Sequence, residues 1–238
     1  MAGVHVVANQ KGGVGKTTVT VNLAAVVADT LGGTADSSPV LGVSTDPQAS
    51  MLEWAERAGN ELPFDFEQCH DNPKLLGKLR EIKQYSHIFV DTPGSLENES
   101  ILQAVLTQAD DVIVPLEPEP LSFNPATRSI ERVIQPAGVP WRVLLNNWDP
   151  RDGTADLEQT REYIAAKRWP AFNTVIRHYK LHTRAPADGV TVVQYAKNRV
   201  ALEARQDFFR LALEVLGTGG DGPRHASAVN GVSSTNGG

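Results

Sequence analysis

Residues 9–18 read Asn9-Gln10-Lys11-Gly12-Gly13-Val14-Gly15-Lys16-Thr17-Thr18, between an apolar run at 4–8 and a helical pattern over 16–31. The three glycines let the backbone turn tightly so that several N–H groups point at one place, and the following helix adds the positive end of its dipole. Lys16 stands where a lysine reaches the β- and γ-phosphates of a nucleotide, and Thr17 stands where a hydroxyl binds Mg²⁺. We therefore predict a phosphate-binding loop whose nucleotide contacts come from Lys11, Gly12, Gly13, Val14, Gly15, Lys16, Thr17 and Thr18.

Outward from this loop, short apolar runs alternate with helical patterns. Further strand patterns lie at 40–45, 64–69, 87–90, 112–116 and 141–145, and further helical patterns lie after Pro47 and at 73–83, 96–108, 156–168 and 199–216. Continuous apolar strands that alternate with helices indicate βαβ units. We predict an α/β fold, a mostly parallel, doubly wound P-loop NTPase sheet with helices on both faces, formed by one domain of residues 1–216.

The composition excludes several classes of protein. The chain has 238 residues, of which 41% are hydrophobic and 21% charged, an ordinary composition for a globular domain. Its single cysteine, Cys69, excludes an internal disulfide, and no apolar run has the length of a membrane span. We expect a cytoplasmic protein with no membrane partner. Residues 217–238 are rich in glycine, serine and asparagine, which predicts a disordered tail.

The formal net charge of −6 is unevenly distributed. Residues 1–150 contain 10 Lys and Arg against 19 Asp and Glu, whereas residues 151–216 contain 11 against 8. Within 167–205 only Asp188 and Glu203 oppose eight cationic side chains: Lys167, Arg168, Arg177, Lys180, Arg184, Lys197, Arg199 and Arg205. Such an excess suits nucleic-acid phosphates, although a solvated helix face has the same composition.

Two carboxylates follow predicted strands. Asp46 ends one strand in Ser44-Thr45-Asp46-Pro47-Gln48, and Asp91 ends another in a run that continues Thr92-Pro93-Gly94. An acid at the carboxyl end of a strand beside a phosphate loop is well placed to hold the shell of a Mg²⁺ ion. A single acid there is also a common turn former or helix cap, and the combination with the loop favours the functional interpretation.

The segment KGGVGKTT departs from the usual P-loop, because Gln10 replaces its first glycine and Lys11 adds a second lysine. This form resembles the deviant Walker A motif of the ParA/MinD family of ATPases, most closely the small, ParF-like partition ATPases. The resemblance covers roughly residues 3–216 and implies ATP and Mg²⁺ as cofactors. It also implies that Lys11 reaches the phosphates of the neighbouring subunit in an ATP-bound homodimer, so that Lys11, Lys16 and Asp46 are the catalytic residues.

The same resemblance gives roles to the strand-end acids. Asp46-Pro47-Gln48 is similar to the family's DxDPQ segment, in which the second Asp positions the attacking water. Asp91 matches the Walker B Asp, so Thr17 and Asp91 form the predicted metal site. Ser44 replaces the first Asp of DxDPQ, which leaves no basis for a magnesium role at that position.

Three other segments carry weaker signals. Glu117-Pro118-Glu119-Pro120-Leu121-Ser122-Phe123 is either a Pro-rich loop that restricts the nucleotide pocket, as in relatives, or an ordinary connector. Asn146 and Asn147 end a strand where relatives contact the base, and an asparagine turn is the alternative. Arg177, Lys197 and Arg199, with Lys180 beside them, resemble residues that bind the DNA backbone. His178 and His182 are expected to face solvent rather than to hold a metal.

The leading functional hypothesis is a DNA-partition ATPase associated with the nucleoid. Its ATP-bound homodimer binds nonspecific DNA, and a ParB-like centromere-binding partner stimulates slow, Mg²⁺-dependent hydrolysis. One alternative is a metabolic P-loop enzyme, a small-molecule kinase or synthetase, although no acceptor site is identifiable in the sequence. The other alternative is a MinD-like positioning ATPase, which the Gly/Ser-rich tail disfavours because it lacks a basic amphipathic helix.

Overall fold

The computed structural model describes residues 1–94 and 99–217, and it contains a seven-stranded sheet with helices on both faces. The strands are β1 (Gly3–Val7), β2 (Val40–Ser44), β3 (Asp65–Gln68), β4 (His87–Asp91), β5 (Asp111–Leu116), β6 (Trp141–Trp148) and β7 (Ala171–Arg177). The helices are α1 (Lys16–Thr30), α2 (Ser50–Ala58), α3 (Pro73–Leu76), α4 (Glu99–Leu106), α5 (Pro120–Ser129), α6 (Ala155–Ala166), α7 (Lys180–Asp188) and α8 (Arg199–Gly217). This architecture confirms the predicted α/β class.

The sheet has the order β3-β2-β4-β1-β5-β6-β7, and every pairing in it is parallel. The chain runs outward from β1 through β2 to β3, returns to place β4 beside β1, and then continues on the other side with β5. The direction of winding therefore changes at β1. Ligands of open α/β sheets bind outside the carboxyl ends of the strands at such a point, and the loop of residues 9–18 begins there.

Each face of the sheet has its own apolar core. On one face α1, α2, α7 and α8 bury a cluster whose largest members are Trp54, Phe89 and Phe208. Helix α1 is buried at every position from Val19 to Ala28, because the sheet and α8 enclose it. On the other face α3, α4, α5 and α6 cover a cluster that includes Ile88 and Ile130.

Two predicted segments have a different conformation in the structure. The helical pattern at 73–83 forms only α3, which ends at Leu76, followed by a 3₁₀ turn at Leu79–Glu81. The Pro-rich segment 117–123 is not a loop throughout, since α5 begins at Pro120. Proline suits the first turn of a helix, where its missing N–H needs no partner and its φ angle is already helical.

Besides α5, two further elements were absent from the prediction. Strand β7 alternates buried and exposed residues at one edge of the sheet, and α7 contains Pro186. The start of the helix predicted at 96 and the predicted tail, apart from Gly217 at the end of α8, lie outside the described residues. Among the described helices, none combines the length and the apolar character that crossing a bilayer requires.

Candidate functional site

The phosphate loop wraps around the N-terminus of α1. Gly15 precedes the helix with a φ of 81°, and a Cβ at this position would lie 2.5 Å from Nδ2 of Asn146. Glycine is therefore required at position 15 both by the left-handed backbone and by the close approach of β6. Lys16 is buried, and its Nζ donates to the carbonyl oxygen of Lys11 at 3.2 Å, which folds the lysine back over the loop.

The buried side-chain amides of two asparagines hold the phosphate loop in place. The Asn9 side chain donates to the carbonyl of Pro115 at 2.7 Å and accepts from the backbone N–H of Lys11 at 3.0 Å. Asn146 is buried and donates to the carbonyl of Val14 at 2.7 Å. These bonds attach both ends of the loop to the neighbouring strands, so the loop is shaped before any ligand binds. Sequence reasoning gave Asn9 no role, since an asparagine before a glycine-rich turn has many uses.

Thr17 and Asp91 lie in contact at the bottom of the site. The Thr17 hydroxyl donates to Oδ2 of Asp91 at 2.7 Å, while Oδ1 of the same carboxylate is buried without a partner among the described residues. Burial raises the pKa of Asp91 to about 7, against the opposing effects of the Thr17 hydrogen bond and the Lys16 charge. An unpaired buried carboxylate oxygen beside a hydroxyl matches the hard oxygen ligands that Mg²⁺ prefers, so the residues present fit this ion.

Lys16 faces two acids across the loop. Burial lowers the pKa of Lys16, and the charges of Asp91 and Asp46 act in the opposite direction. A Cβ on Gly94 would lie 3.3 Å from Nζ of Lys16 and 3.3 Å from Cα of Gly12, so the segment after β4 closes against the loop. The structure therefore brings together Lys16, Asp46 and Asp91, three of the residues selected from the sequence.

The second lysine points elsewhere. Nζ of Lys11 donates to Oε2 of Glu117 at 2.7 Å, to Oγ of Ser122 at 2.7 Å, and to Oε1 of Glu119. Burial alone would lower the pKa of Lys11, but the two glutamates outweigh it and the pKa is raised. Both acids lie at the junction of β5 and α5, in the Pro-rich segment whose role the sequence left open. In this conformation Lys11 neutralises two acids of its own chain, of which Glu117 is mostly buried and Glu119 is half exposed.

A cavity of about 680 Å³ extends from the loop toward α2 and α7. This volume lies within the range of ordinary small-ligand sites, about 300–1,000 Å³. Its lining comes from the loop, from the segment after β2 and from the facing helices: Gly12, Gly13, Gly15, Lys16, Thr17, Thr18, Asp46, Gln48, Ser50, Glu53, Trp54, Arg57, Gly94 and Pro186. The cavity therefore offers room for a polyphosphate at the predicted place.

The two asparagines at the end of β6 have different surroundings. Asn146 supports the loop, as described above, and has its amide nitrogen engaged there. Asn147 is exposed, has a φ of 63°, and bonds to Glu117 through Nδ2 at 2.9 Å and to His178 through Oδ1 at 2.7 Å. Of the two, Asn147 is the one whose side chain solvent and a ligand can reach.

The four cations that were expected to bind DNA do not have equivalent surroundings. Arg177 makes a bidentate ion pair with Asp207, at 2.8 Å for both contacts, and only 2% of Asp207 is exposed. Arg199 pairs with Glu203 at the surface. Lys180 and Lys197 are exposed and make no ion pair within the described residues.

One of the two histidines does not face solvent as expected. His182 is buried against Phe208 and Tyr179, and its Nδ1 lies 3.2 Å from the Tyr195 hydroxyl. This burial lowers the pKa of His182 to about 4, so the ring is neutral at pH 7. No cluster of potential metal ligands of three or more His, Cys, Asp or Glu occurs among the described residues.

Known proteins resemble this chain in sequence and in fold. A family model described as the CobQ/CobB/MinD/ParA nucleotide binding domain matches residues 5–192. The protein named maintenance of carboxysome distribution protein A from Gloeobacter kilaueensis is 41% identical over 209 residues, which cover 88% of this chain and 92% of that protein. The chromosome-partitioning ATPase Soj of Thermus thermophilus is 28% identical over 246 residues, covering 88% of this chain and 93% of that protein. In fold, the MinD cell division protein of Aquifex aeolicus superposes with a TM-score of 0.72 at 21% identity, covering 91% of this chain and 98% of that one.

The buried ion pair of Arg177 predicts a loss of stability on its removal. Arg177→Ala leaves the carboxylate of Asp207 buried without its partner, and we expect the free energy of unfolding to fall by about 3–5 kcal/mol. Urea denaturation followed by circular dichroism measures this change. Arg184→Ala is the control, because Arg184 is exposed, and we expect a change within about 0.5 kcal/mol. Equal stabilities of the two variants would contradict the assignment.

Proposed function

The chain belongs to the CobQ/CobB/MinD/ParA family of nucleotide-binding domains, and on this premise we propose that it is a positioning ATPase that distributes a cellular cargo by cycling on and off DNA. The resemblance to the ParA/MinD ATPases is thereby confirmed. The observation that carries the proposal is that the two lysines of the loop have different surroundings. Lys16 is buried within the loop, whereas the side chain of Lys11 is paired with Glu117 and Glu119. We infer that Lys16 serves the nucleotide of its own subunit, and that Lys11 can exchange its partners.

In the proposed cycle the loop binds ATP through its backbone N–H groups and Lys16. Thr17 and Asp91 would hold Mg²⁺, and the ion would draw negative charge away from the phosphates. Asp46 orients the attacking water, since it lines the cavity and its charge acts on Lys16. Lys16 stabilises the charge that develops on the phosphoryl oxygens.

ATP-dependent dimerisation follows from the release of Lys11. Glu119 is half exposed, and surface ion pairs of this kind contribute only about 0–1 kcal/mol each. A triphosphate on a second subunit offers Lys11 a denser negative charge than the two carboxylates do. We propose that Lys11 exchanges Glu117 and Glu119 for these phosphates, so that the homodimer forms only when ATP is bound.

DNA is the proposed surface on which the dimer travels. Lys180 and Lys197 present ammonium groups that are exposed to solvent, and the exposed Arg199 has only a weak surface partner to give up. Arg177 is a structural residue in this scheme rather than a phosphate contact, because Asp207 holds it. One subunit offers few cations on an acidic chain, so two subunits on one surface are needed for useful affinity.

The cargo we favour is a protein compartment. The support is the 41% identity to a protein whose name assigns it to carboxysome distribution, along 88% of this chain. Partition of a chromosome or plasmid with a ParB-like, centromere-binding partner is the second candidate, supported by the 28% identity to a chromosome-partitioning ATPase. In either case a cargo-bound partner would stimulate hydrolysis and release the dimer from DNA. Within the described residues, no acceptor site supports the alternative of a metabolic kinase or synthetase.

Deletion of the gene in the native host separates the two cargoes. We expect fluorescently labelled protein compartments to collapse into few clusters in the deletion strain, and expression of Lys16→Ala not to restore their distribution. Unequal inheritance of a replicon with normally spaced compartments would instead support the partition function. Normal distribution of both would contradict a positioning role.

The two lysines predict two different failures. Lys16→Ala removes the cation of the loop itself, so we expect no detectable ATP binding. Lys11→Ala leaves the loop intact, so the monomer should bind ATP while dimer formation and most hydrolysis are abolished. Fluorescent-nucleotide titration and light scattering with a nonhydrolysable ATP analogue measure these steps. A Lys11→Ala variant that dimerised normally would exclude the exchange of partners proposed for this residue.

DNA binding predicts a salt dependence that reflects the exposed cations. The double variant Lys180→Ala/Lys197→Ala should bind random duplex DNA more weakly with ATP, and its log–log salt slope should flatten by about 0.9 for each phosphate that is no longer neutralised. Lys74→Ala/Lys78→Ala makes the same charge change at exposed positions on or just after α3, and it should leave the slope unchanged. Equal effects of the two pairs would indicate net charge rather than a defined surface.

A further inference from the structure

We propose that Gln68 is a positioning residue for ATP hydrolysis, and that its side-chain amide holds the main chain of Asp46 in the place where this carboxylate orients water. The inference rests on the role of Asp46 in the proposed function. Gln68 is the last residue of the edge strand β3 and pairs in register with Ser44 of β2. It lies outside the phosphate loop and outside every motif of the sequence.

The turn that carries Asp46 is not held by packing. Pro47 and Gln48 are exposed, and Asp46 itself is half-buried. Ala49, at the end of the turn, has a φ of 58° and a ψ of 20°, a left-handed conformation that is unfavourable for a residue with a Cβ. An exposed, strained turn needs hydrogen bonds to keep one conformation.

The inner side of this turn is attached to β4. Thr45 donates to the carbonyl oxygen of Asp91 twice, through its backbone N–H at 2.9 Å and through its hydroxyl at 2.9 Å. Within the turn, Oδ1 of Asp46 accepts from the N–H of Gln48 at 2.9 Å, which sets the direction of the carboxylate. These contacts fix the turn at its first residue and from within.

The outer side of the turn is attached by Gln68. Nε2 of Gln68 donates to the carbonyl oxygen of Asp46 at 3.0 Å, and the same oxygen accepts from the N–H of Ala49 at 3.0 Å. The second hydrogen of this amide points to Nδ1 of His70 at 3.4 Å. Gln68 is thus a donor from outside the turn that binds the peptide unit immediately after Asp46.

The oxygen of the Gln68 side-chain amide shows that the contact with Asp46 imposes the orientation of this amide. Oε1 of Gln68 is buried and has no hydrogen-bond partner among the described residues. A buried acceptor without a partner is unfavourable, because it loses its hydrogen bonds to water and gains none in the protein. Because the Asp46 carbonyl can only accept, the amide nitrogen must face it, and the oxygen is left unsatisfied. The Gln68 side chain therefore donates to the Asp46 turn while its own oxygen stays without a hydrogen bond among the described residues.

The test compares Gln68→Met with Glu67→Met. Gln68→Met keeps the length of the side chain but removes the donor, and we expect kcat to fall about tenfold with an unchanged KM for ATP, because the phosphate contacts remain. Glu67 is the exposed neighbour on the opposite side of the same strand, so Glu67→Met controls for any effect on the strand itself. Steady-state phosphate release and thermal melting are measured for both.

Two further variants separate a positioning role from a merely structural one. Gln68→Glu keeps the shape of the side chain but places a carboxylate against the Asp46 carbonyl, and it should lower kcat at least as much as Gln68→Met. Gln68→Lys restores a donor of sufficient reach, and it should recover most of the kcat. A wild-type kcat for Gln68→Met, a raised KM, or no recovery in Gln68→Lys would each overturn the inference.

Asp46→Ala separates this inference from the proposed function. An inactive Asp46→Ala beside a fully active Gln68→Met would reject only the role of Gln68. Undiminished hydrolysis by Asp46→Ala, with ATP bound, would reject the role of Asp46 in the proposed function, and the positioning role of Gln68 would fall with it.

Discussion

Asp91 joins the two halves of the nucleotide site. Its carboxylate accepts from Thr17 at the start of α1, and its main-chain carbonyl accepts both donors of Thr45 before the Asp46 turn. Since β4 lies between β1 and β2, this one residue fixes the distance between the phosphate loop and the turn that faces it. The buried position that makes Asp91 costly to ionise is also the position from which it contacts both segments.

Local sequence predicted the elements whose chemistry is local. The glycines of the loop, the apolar strands and the two strand-end acids are each recognisable within about ten residues of chain, and the sheet around them followed from their alternation. Gly15 illustrates the limit, because its left-handed φ is readable from the motif whereas its contact with Asn146, 131 positions along the chain, is not. The edge strand β7 and helix α7, with its internal proline, lacked the strong patterns that made the other elements recognisable.

Ion pairs and hydrogen bonds between residues that are distant in sequence explain where the local sequence pattern was misleading. Only two acids lie among the cations of residues 167–205, but Arg177, Lys167 and Arg205 find partners in Asp207, Glu131 and Asp29 from outside that window. The unneutralised positive charge is therefore smaller than the local count indicates, and within the described residues it remains at Arg168, Lys180, Arg184 and Lys197, which are exposed and make no ion pair. In the same way, the acids that occupy Lys11 come from a segment more than 100 residues away, and Gln68 reaches Asp46 from an edge strand. Neither contact leaves a signal in the local pattern.

The strand order affects how the protein folds while the ribosome synthesises it. Val6 of β1 pairs with Val90 on one side and with Val112 on the other, so the central strand gains both neighbours only after most of the first half of the chain has been synthesised. Contacts that are so distant in sequence carry a large loop-closure cost and make folding slow. Strand β1 and the glycine loop leave the exit tunnel before the other elements of the sheet, yet β1 is paired on both sides only after β5 has followed. The nascent chain must therefore keep Val4, Val6 and Val7 of β1 exposed for a substantial part of translation, a period in which chaperones can bind them.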